Sequence, residues 1–363
     1  MNILIFTTHF NAGGITSYIL SLTRGFVKKG HCIYVASSGG NMIEELKSSG
    51  GRHVDLDINT KSELSPKVYR AVNKLQSFIR ENAIDVVHSQ TRVTQVVGTM
   101  LKHFIKIPHV ATCHGFFKAR ISRKIFPCWG DATIAISPQV VEHLKNDLCV
   151  SKEKIFLIPH GVEIKECAVG IQQKEEKRKE LNLKKGVILG IVARLSDVKG
   201  IDVAIKAMKK VIESNPEANL LIVGEGKEGD ALLKLVDELG LEKNVSFLPI
   251  INDLDNILPF LDIFVMPSRQ EGLGLSVMEA QAVGLPVVAS KIGGLMSLIQ
   301  DGETGLLVPT ENPDALAAAL VMLINNMEKA KELGAAGKAF IKKNFSPEKM
   351  IDKTLEIYQG VLK

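Results

Sequence analysis

PSRQEGLGLSVMEAQAVGLPVVASKIGGLMSLIQDGETGLLVP, residues 267–309, holds most of a strand–loop–helix–strand unit, completed by the apolar run Ile263–Met266 just before it. That run has the length and composition of a buried strand. A loop with Gly272 and Gly274 follows. The segment Leu275–Val283 reads as a helix stopped by Gly284 and Pro286, and Pro286–Ala289 as the next strand. Glu271 stands on the loop lip and Glu279 about one turn inside the helix, eight residues on, so the two do not share a helix face. Between them lie glycine amides and a helix N-terminus, which together favour an anion. A phosphate flanked by two hydroxyl-rich ends suits that layout, and a nucleotide-sugar has it. The same spacing also describes an ordinary α/β turn with surface glutamates, so spacing alone leaves both readings open.

Working outward, the 363 residues favour two domains over one core. Hydrophobic content of 45% and charged content of 23% are those of a globular protein. No run of eighteen apolar residues occurs, so no membrane-spanning helix is expected. The N-terminal MNILIF lacks a basic leader and reads as a first strand rather than a signal peptide. The five cysteines are scattered with no C-x-x-C pair, which points to a reducing compartment, the cytoplasm, and away from zinc. Net charge is +5, but residues 1–166 hold 21 Lys and Arg against 13 Asp and Glu, so the front half is basic. That balance suits an anionic partner or a solvated basic face.

Strand patterns recur through the front half at Asn2–Thr8, His31–Ala36, Asp85–Ser89, Pro108–Gly115, Ala132–Ile136 and Lys154–Ile158. The first is followed by Gly13-Gly14 and a helical period at residues 15, 18, 19, 22 and 26, with Thr16 or Ser17 as candidate caps. Gly13 and Gly14 let a ligand come close to the backbone, although G-x-G-x-x-G is absent. Residues 65–82 read as an amphipathic helix, and Ser137-Pro138 as a helix start. His9, His88 and His114 fall at or just beyond strand ends, with His114 best placed for chemistry, as a catalytic residue, or for sugar binding, beside the ordinary reading of a packing residue. Residues 116–126 interleave four cations with apolar side chains and suit an anionic membrane surface, a phosphorylated acceptor, or a plain basic helix.

The polar run 170–185 marks a domain boundary. The pattern then restarts, with strands expected at 187–192, 220–223, 245–248, 262–266, 286–289 and 306–308. Alternation of this kind builds a doubly wound parallel sheet, which binds ligands at the carboxyl ends of its strands. Arg194 and Lys199 sit in such a loop and suit a diphosphate, Arg as a planar fork and Lys as a point charge. Gly224-Glu225-Gly226 forms another loop of this kind. Residues 346–363 read as a terminal helix.

In combination, Gly13-Gly14 after the first strand, Arg194 with Lys199-Gly200, the pair Glu271 and Glu279 in EGLGLSVMEA, and the stretch Gly302–Val308 resemble glycosyltransferase family 4 over essentially the whole chain. The resemblance implies an α/β GT-B fold: two Rossmann-like doubly wound domains facing an interdomain cleft. Residues 1–168 with a crossover helix at 346–363 would bind the acceptor, and 169–345 the nucleotide-sugar. It implies that Arg194 and Lys199 hold the diphosphate, helped by amides near Gly274 and Leu275. Glu271 would contact donor-sugar hydroxyls and Glu279 the ribose. His114 would lie near the donor sugar, Gly14 would let the front loop reach the donor phosphate, and Gly13, Gly224, Gly272 and Leu273 would line the donor site. The implied reaction retains anomeric configuration, needs no metal or other cofactor, and uses a UDP- or GDP-linked donor. The implied acceptor is a glycan, a lipid-linked or a phosphorylated molecule of cell-envelope, lipopolysaccharide or glycolipid synthesis, met at the inner membrane face; nucleic acid is not a partner. Leu273 replaces a frequent Phe, His160 and Glu163 replace a frequent Asn and Asp, and Ser297 replaces a frequent Glu. A nucleotide-sugar 2-epimerase of the same fold is the alternative enzyme, and a non-catalytic sugar- or lipid-binding protein the alternative from another class.

Overall fold

The computed structural model describes residues 1–117, 123, 126–164, 171–181, 183–249 and 257–363. The chain forms two compact units, Met1–Gly161 with Phe345–Lys363, and Val162–Asn344. The boundary expected at 168/169 falls outside the described residues, as does most of the cationic segment 116–126.

The first unit is built on a seven-stranded parallel sheet. Its strands are β1 (Asn2–Phe6), β2 (Cys32–Ser37), β3 (Arg52–Asp55), β4 (Val86–Ser89), β5 (His109–Cys113), β6 (Ala132–Ala135) and β7 (Ile155–Leu157), in the order β3-β2-β1-β4-β5-β6-β7. Central strands such as β4 and β5 are buried along their whole length, as expected of a sheet covered on both faces. On one face Ile3, Ile5 and Val110 pack with Tyr18, Leu22 and Phe26 of helix Gly14–Lys28 and with Met350, Leu355 and Tyr358 of helix Pro347–Val361. On the other, Leu4, Phe6 and Val87 pack against helices Pro66–Glu81 and Arg92–Ile105. The terminal helix is fixed by chemistry as well as shape: buried His88 bonds the Tyr358 hydroxyl at 2.6 Å through Nδ1 and Thr112 Oγ1 at 2.7 Å through Nε2.

The second unit repeats the plan with six parallel strands. These are β8 (Ile188–Val192), β9 (Asn219–Val223), β10 (Val245–Leu248), β11 (Ile263–Met266), β12 (Val287–Ser290) and β13 (Leu306–Val308), in the order β10-β9-β8-β11-β12-β13. Its core joins Leu189, Ile191, Ile222 and Val265 to Ala204, Met208 and Val211 of helix Ile201–Ser214 and to Leu316, Leu320 and Leu323 of helix Pro313–Asn325.

Local sequence accounts for the element starts. Ser65, Ser137, Asn312 and Ser346 each accept a backbone N–H from the helix they open, and each is followed by Pro at a position where the missing N–H costs nothing. Helix Gly14–Lys28 differs from expectation. Its N-cap is Gly13, and Thr16 lies inside the first turn, its hydroxyl donating back to Asn11 O at 2.6 Å. The polar run forms helix Ile171–Glu180, tied to the second unit where Arg178 Nη1 donates to Lys184 O and Gly186 O at 2.9 and 2.6 Å.

Candidate functional site

In each sheet the strand order reverses beside the first strand of the unit, between β1 and β4 and between β8 and β11. The loops leaving two such strands diverge to opposite faces and open a crevice, the usual ligand position in an open α/β sheet. In the second unit β8 runs into Arg194 and Lys199, and β11 into Glu271–Leu275. Residues 72 positions apart are thereby brought together: Lys199 Nζ lies 2.5 Å from Glu271 Oε2. The Ser268 hydroxyl approaches the same carboxylate oxygen at 3.4 Å. Arg194 is exposed and makes no hydrogen bond or ion pair among the described residues.

Backbone contacts set this geometry. Gly200 has φ 60°, and a Cβ there would stand 2.1 Å from Pro267 O. Arg269 N donates to Val198 O at 2.9 Å, which knits the β8 and β11 loops. Gly224, with φ 149°, passes so close to Ala193 O that a Cβ would clash at 1.9 Å. Gly294 N donates to Glu271 O at 2.9 Å, and a Cβ on Gly293 would lie 2.2 Å from that oxygen. Gly274, with φ 101°, opens helix Leu275–Ala282, and no side chain caps the helix. Gly272, Leu273 and Gly274 are themselves buried, whereas Leu275 and Ser276 are partly accessible. Leu273 therefore packs within the loop, and Leu275 and Ser276, at the start of the helix, are the partly accessible residues of the segment. Glu279 is half-buried on the same helix.

Arg269 is a residue that sequence reading passed over. Its guanidinium bonds Asp202 at 2.8 and 3.0 Å, Glu311 at 3.0 Å and Asp197 O at 2.8 Å. Burial alone would raise the Asp202 carboxyl, but bonds from Arg269 and Lys206 outweigh it and hold Asp202 below the ordinary range. The clamp fixes the Glu271 loop against the helix that follows Lys199. Its only sequence signal was an arginine inside the glycine loop.

The first unit gathers a different set. Gly13 and Gly14 are exposed at the start of helix Gly14–Lys28, and Gly13 has φ 153° with open space where a Cβ would stand. His114 is half-buried just past β5. Its Nε2 lies 2.7 Å from Gln90 Oε1, and its ring meets Tyr18 edge-on at 5.0 Å. Burial, reinforced by neighbouring His160, pulls its pKa down to about 3, so the ring is neutral at pH 7. Gln90, 2% exposed at the end of β4, was not expected in the site. His88 is fully buried and belongs to the core.

Two doubly wound parallel sheets in one chain, with cations, an uncapped helix N-terminus and a carboxylate at the second switch point, define the GT-B class of glycosyltransferase. The family model for Glycosyltransferase Family 4 matches residues 12–166 and that for Glycosyl transferases group 1 matches residues 172–340, and the chain belongs to this family. An uncharacterised glycosyltransferase of Methanocaldococcus jannaschii is 30% identical over 298 residues, 78% of each chain. The UDP-Gal:alpha-D-GlcNAc-diphosphoundecaprenol alpha-1,3-galactosyltransferase of Escherichia coli is 29% identical over 311 residues, covering 80% of this chain and 79% of its own. Among solved structures, Anabaena HepE in complex with UDP-glucose superimposes with a TM-score of 0.88 at 21% identity, over 99% of this chain and 100% of its own.

Gly200→Ala combines a left-handed backbone with a carbonyl clash, and is expected to destabilise the second unit by about 2 kcal/mol or more. Chemical denaturation followed by far-UV circular dichroism measures this; an unchanged transition would refute the assigned constraint.

Proposed function

We propose that the protein transfers a glycosyl group from a nucleoside-diphosphate sugar to a hydroxyl of a glycan, lipid-linked or phosphorylated acceptor. The observation that carries this is the second switch point, where the loop after β8, bearing exposed Arg194, brings Lys199 onto Glu271 of the loop that opens the uncapped helix Leu275–Ala282. Fixed donors of this kind stabilise charge that develops on a leaving group. In the proposed step the anomeric C–O bond to phosphate breaks as the acceptor oxygen bonds to the same carbon. The acceptor proton passes to the departing diphosphate, whose charge Arg194 and Lys199 take up. Attack from the face of the leaving group retains configuration. Two cations on one strand-end loop can supply the positive charge that a divalent ion would otherwise bring to the diphosphate, which supports a reaction without metal. Glu279 accepts from ribose hydroxyls, Glu271 from the sugar, and neutral His114 hydrogen-bonds a hydroxyl without bringing charge.

The first unit serves the acceptor. Its basic balance supports an anionic acceptor, and the name of the Escherichia coli relative, which specifies a UDP-linked donor and a diphosphoundecaprenol acceptor, supports a UDP donor and a lipid-linked acceptor in cell-envelope synthesis. HepE, with UDP-glucose bound, supports the same donor class. No helix among the described residues is long and apolar enough to cross a membrane. Peripheral contact with an anionic surface through residues 116–126 completes the reading and rests on their four cations.

A thermal-shift panel of UDP- and GDP-sugars tests it. A ligand at a hundred times its Kd stabilises the folded state by about 2.7 kcal/mol, so at least one donor is expected to raise Tm clearly, and Arg194→Ala to abolish the rise. Absence of any shift would contradict the donor site. Formation of an epimer with no acceptor present would favour the 2-epimerase, and turnover that vanished with EDTA and returned with magnesium would remove metal independence.

A further inference from the structure

The two cations of the second switch point are not equivalent. Arg194 is exposed with no partner among the described residues, whereas Lys199 is already engaged by Glu271 at 2.5 Å. The Lys199 and Glu271 side chains are only 20% and 13% exposed, so water screens their attraction weakly. They cannot drift apart easily, because Arg269 holds the two loops together through Asp202 and the Asp197 carbonyl. A diphosphate arriving there finds Arg194 free but must compete with a resident carboxylate for Lys199.

We propose that Glu271 is a built-in competitor for Lys199 that weakens the hold on a sugar-free nucleoside diphosphate relative to the intact donor. The inference rests on the donor reading above and adds a discrimination between donor and leaving group. An intact donor brings sugar hydroxyls, which donate to the carboxylate when Lys199 turns to the phosphates. Both charges then keep partners. A bare nucleoside diphosphate has no such hydroxyls. It must either leave Lys199 on Glu271 and bind through Arg194 and the helix amides alone, or take Lys199 and strand a partly buried carboxylate beside its own negative charge. Either outcome lowers affinity for the product and favours its departure, a step that limits many enzymes.

The test is isothermal titration of the whole chain with UDP, GDP and ADP, comparing wild type with Glu271→Gln and Glu271→Ala. Gln keeps the size of the side chain, and far-UV circular dichroism checks that both variants are folded. The expected result is that the nucleotide bound by wild type binds the variants roughly tenfold tighter or more, within the range of coupling between close charge pairs. The intact nucleotide-sugar is expected to show no such gain, and transfer to fall. In a Lys199→Met background the Glu271 substitutions are expected to give a much smaller gain, since only direct repulsion between carboxylate and diphosphate then remains. If neither Glu271 variant binds the nucleoside diphosphate more tightly, the competition is refuted while the donor reading stands. The same holds if the gain is undiminished without Lys199, since general charge removal then explains it. If wild type binds none of the three nucleotides, the donor reading falls and the inference with it.

Discussion

Lys199→Met is expected to lower kcat for transfer by about 10²- to 10³-fold, the usual cost of removing one fixed donor from a developing anion. The second unit is expected to stay folded. Lys199 lies in a short loop between β8 and helix Ile201–Ser214 and is partly exposed. The loop backbone is kept in place by Gly200 against Pro267 and by Arg269 on Val198, neither of which involves the amine. The loss therefore belongs to the chemistry, and is read as kcat at saturating donor with far-UV circular dichroism as control. Arginine in place of Lys199 restores charge but not the point geometry that reaches Glu271, so Lys199→Arg is expected to recover only part of the rate. Turnover within threefold of wild type for Lys199→Met would remove the residue from the assigned role.

The second large effect is acid sensitivity of the first unit. His109 and His160 are buried, and burial pulls their pKa values down to about 3 and about 4; His88 is lowered well below its ordinary value by the same cause. In the unfolded chain these rings titrate near 6.5. Between the two values the unfolded chain binds protons that the folded chain does not. Stability present above pH 6.5 is thus lost as pH falls toward 4 and then 3. At pH 5 His109 and His160 each remove about 2 kcal/mol by this linkage, and His88 adds in the same direction. The chain offers a clean reporter, because its single tryptophan, Trp129, lies 4% exposed in this unit. The urea midpoint from Trp129 fluorescence is expected to drop steeply from pH 7 to pH 5, and the drop to shrink in His109→Asn. A midpoint flat across that range would show that these rings do not remain neutral in the folded unit.

The sequence made the second unit legible almost strand by strand, because each of its six strands is a short apolar run ending in a glycine, a proline or a polar turn. The first unit was less complete. β3, RHVD, was not expected: it is a half-exposed edge strand with one apolar residue, and it forms because β2 offers it a ladder. The same contrast holds for the sites. Arg194, Lys199, Glu271 and the glycines could be placed on strand-end loops by local pattern. What those loops do to each other could not. The Lys199–Glu271 pair spans 72 positions, and the Arg269 clamp reaches 67 positions to Asp202 and 42 to Glu311. Gln90 reaches His114 across 24. Partners at such separations are set by the strand order, which periodicity does not encode. Leu273 shows another limit of local pattern: it lies within the motif, and that its side chain packs into the interior was not readable from spacing.

The helix Pro347–Val361 covers one face of a sheet whose first strand begins at Asn2. During synthesis the leading half of the chain therefore emerges from the ribosome with that face only partly covered, by helix Gly14–Lys28, and with Phe26 and the Nδ1 of His88 still without Tyr358. The trailing half, self-contained at Val162–Asn344, has every element it needs before the covering helix appears. Maturation thus runs against the order of translation, and a block on the last helix leaves a finished rear lobe attached to an unsealed front one.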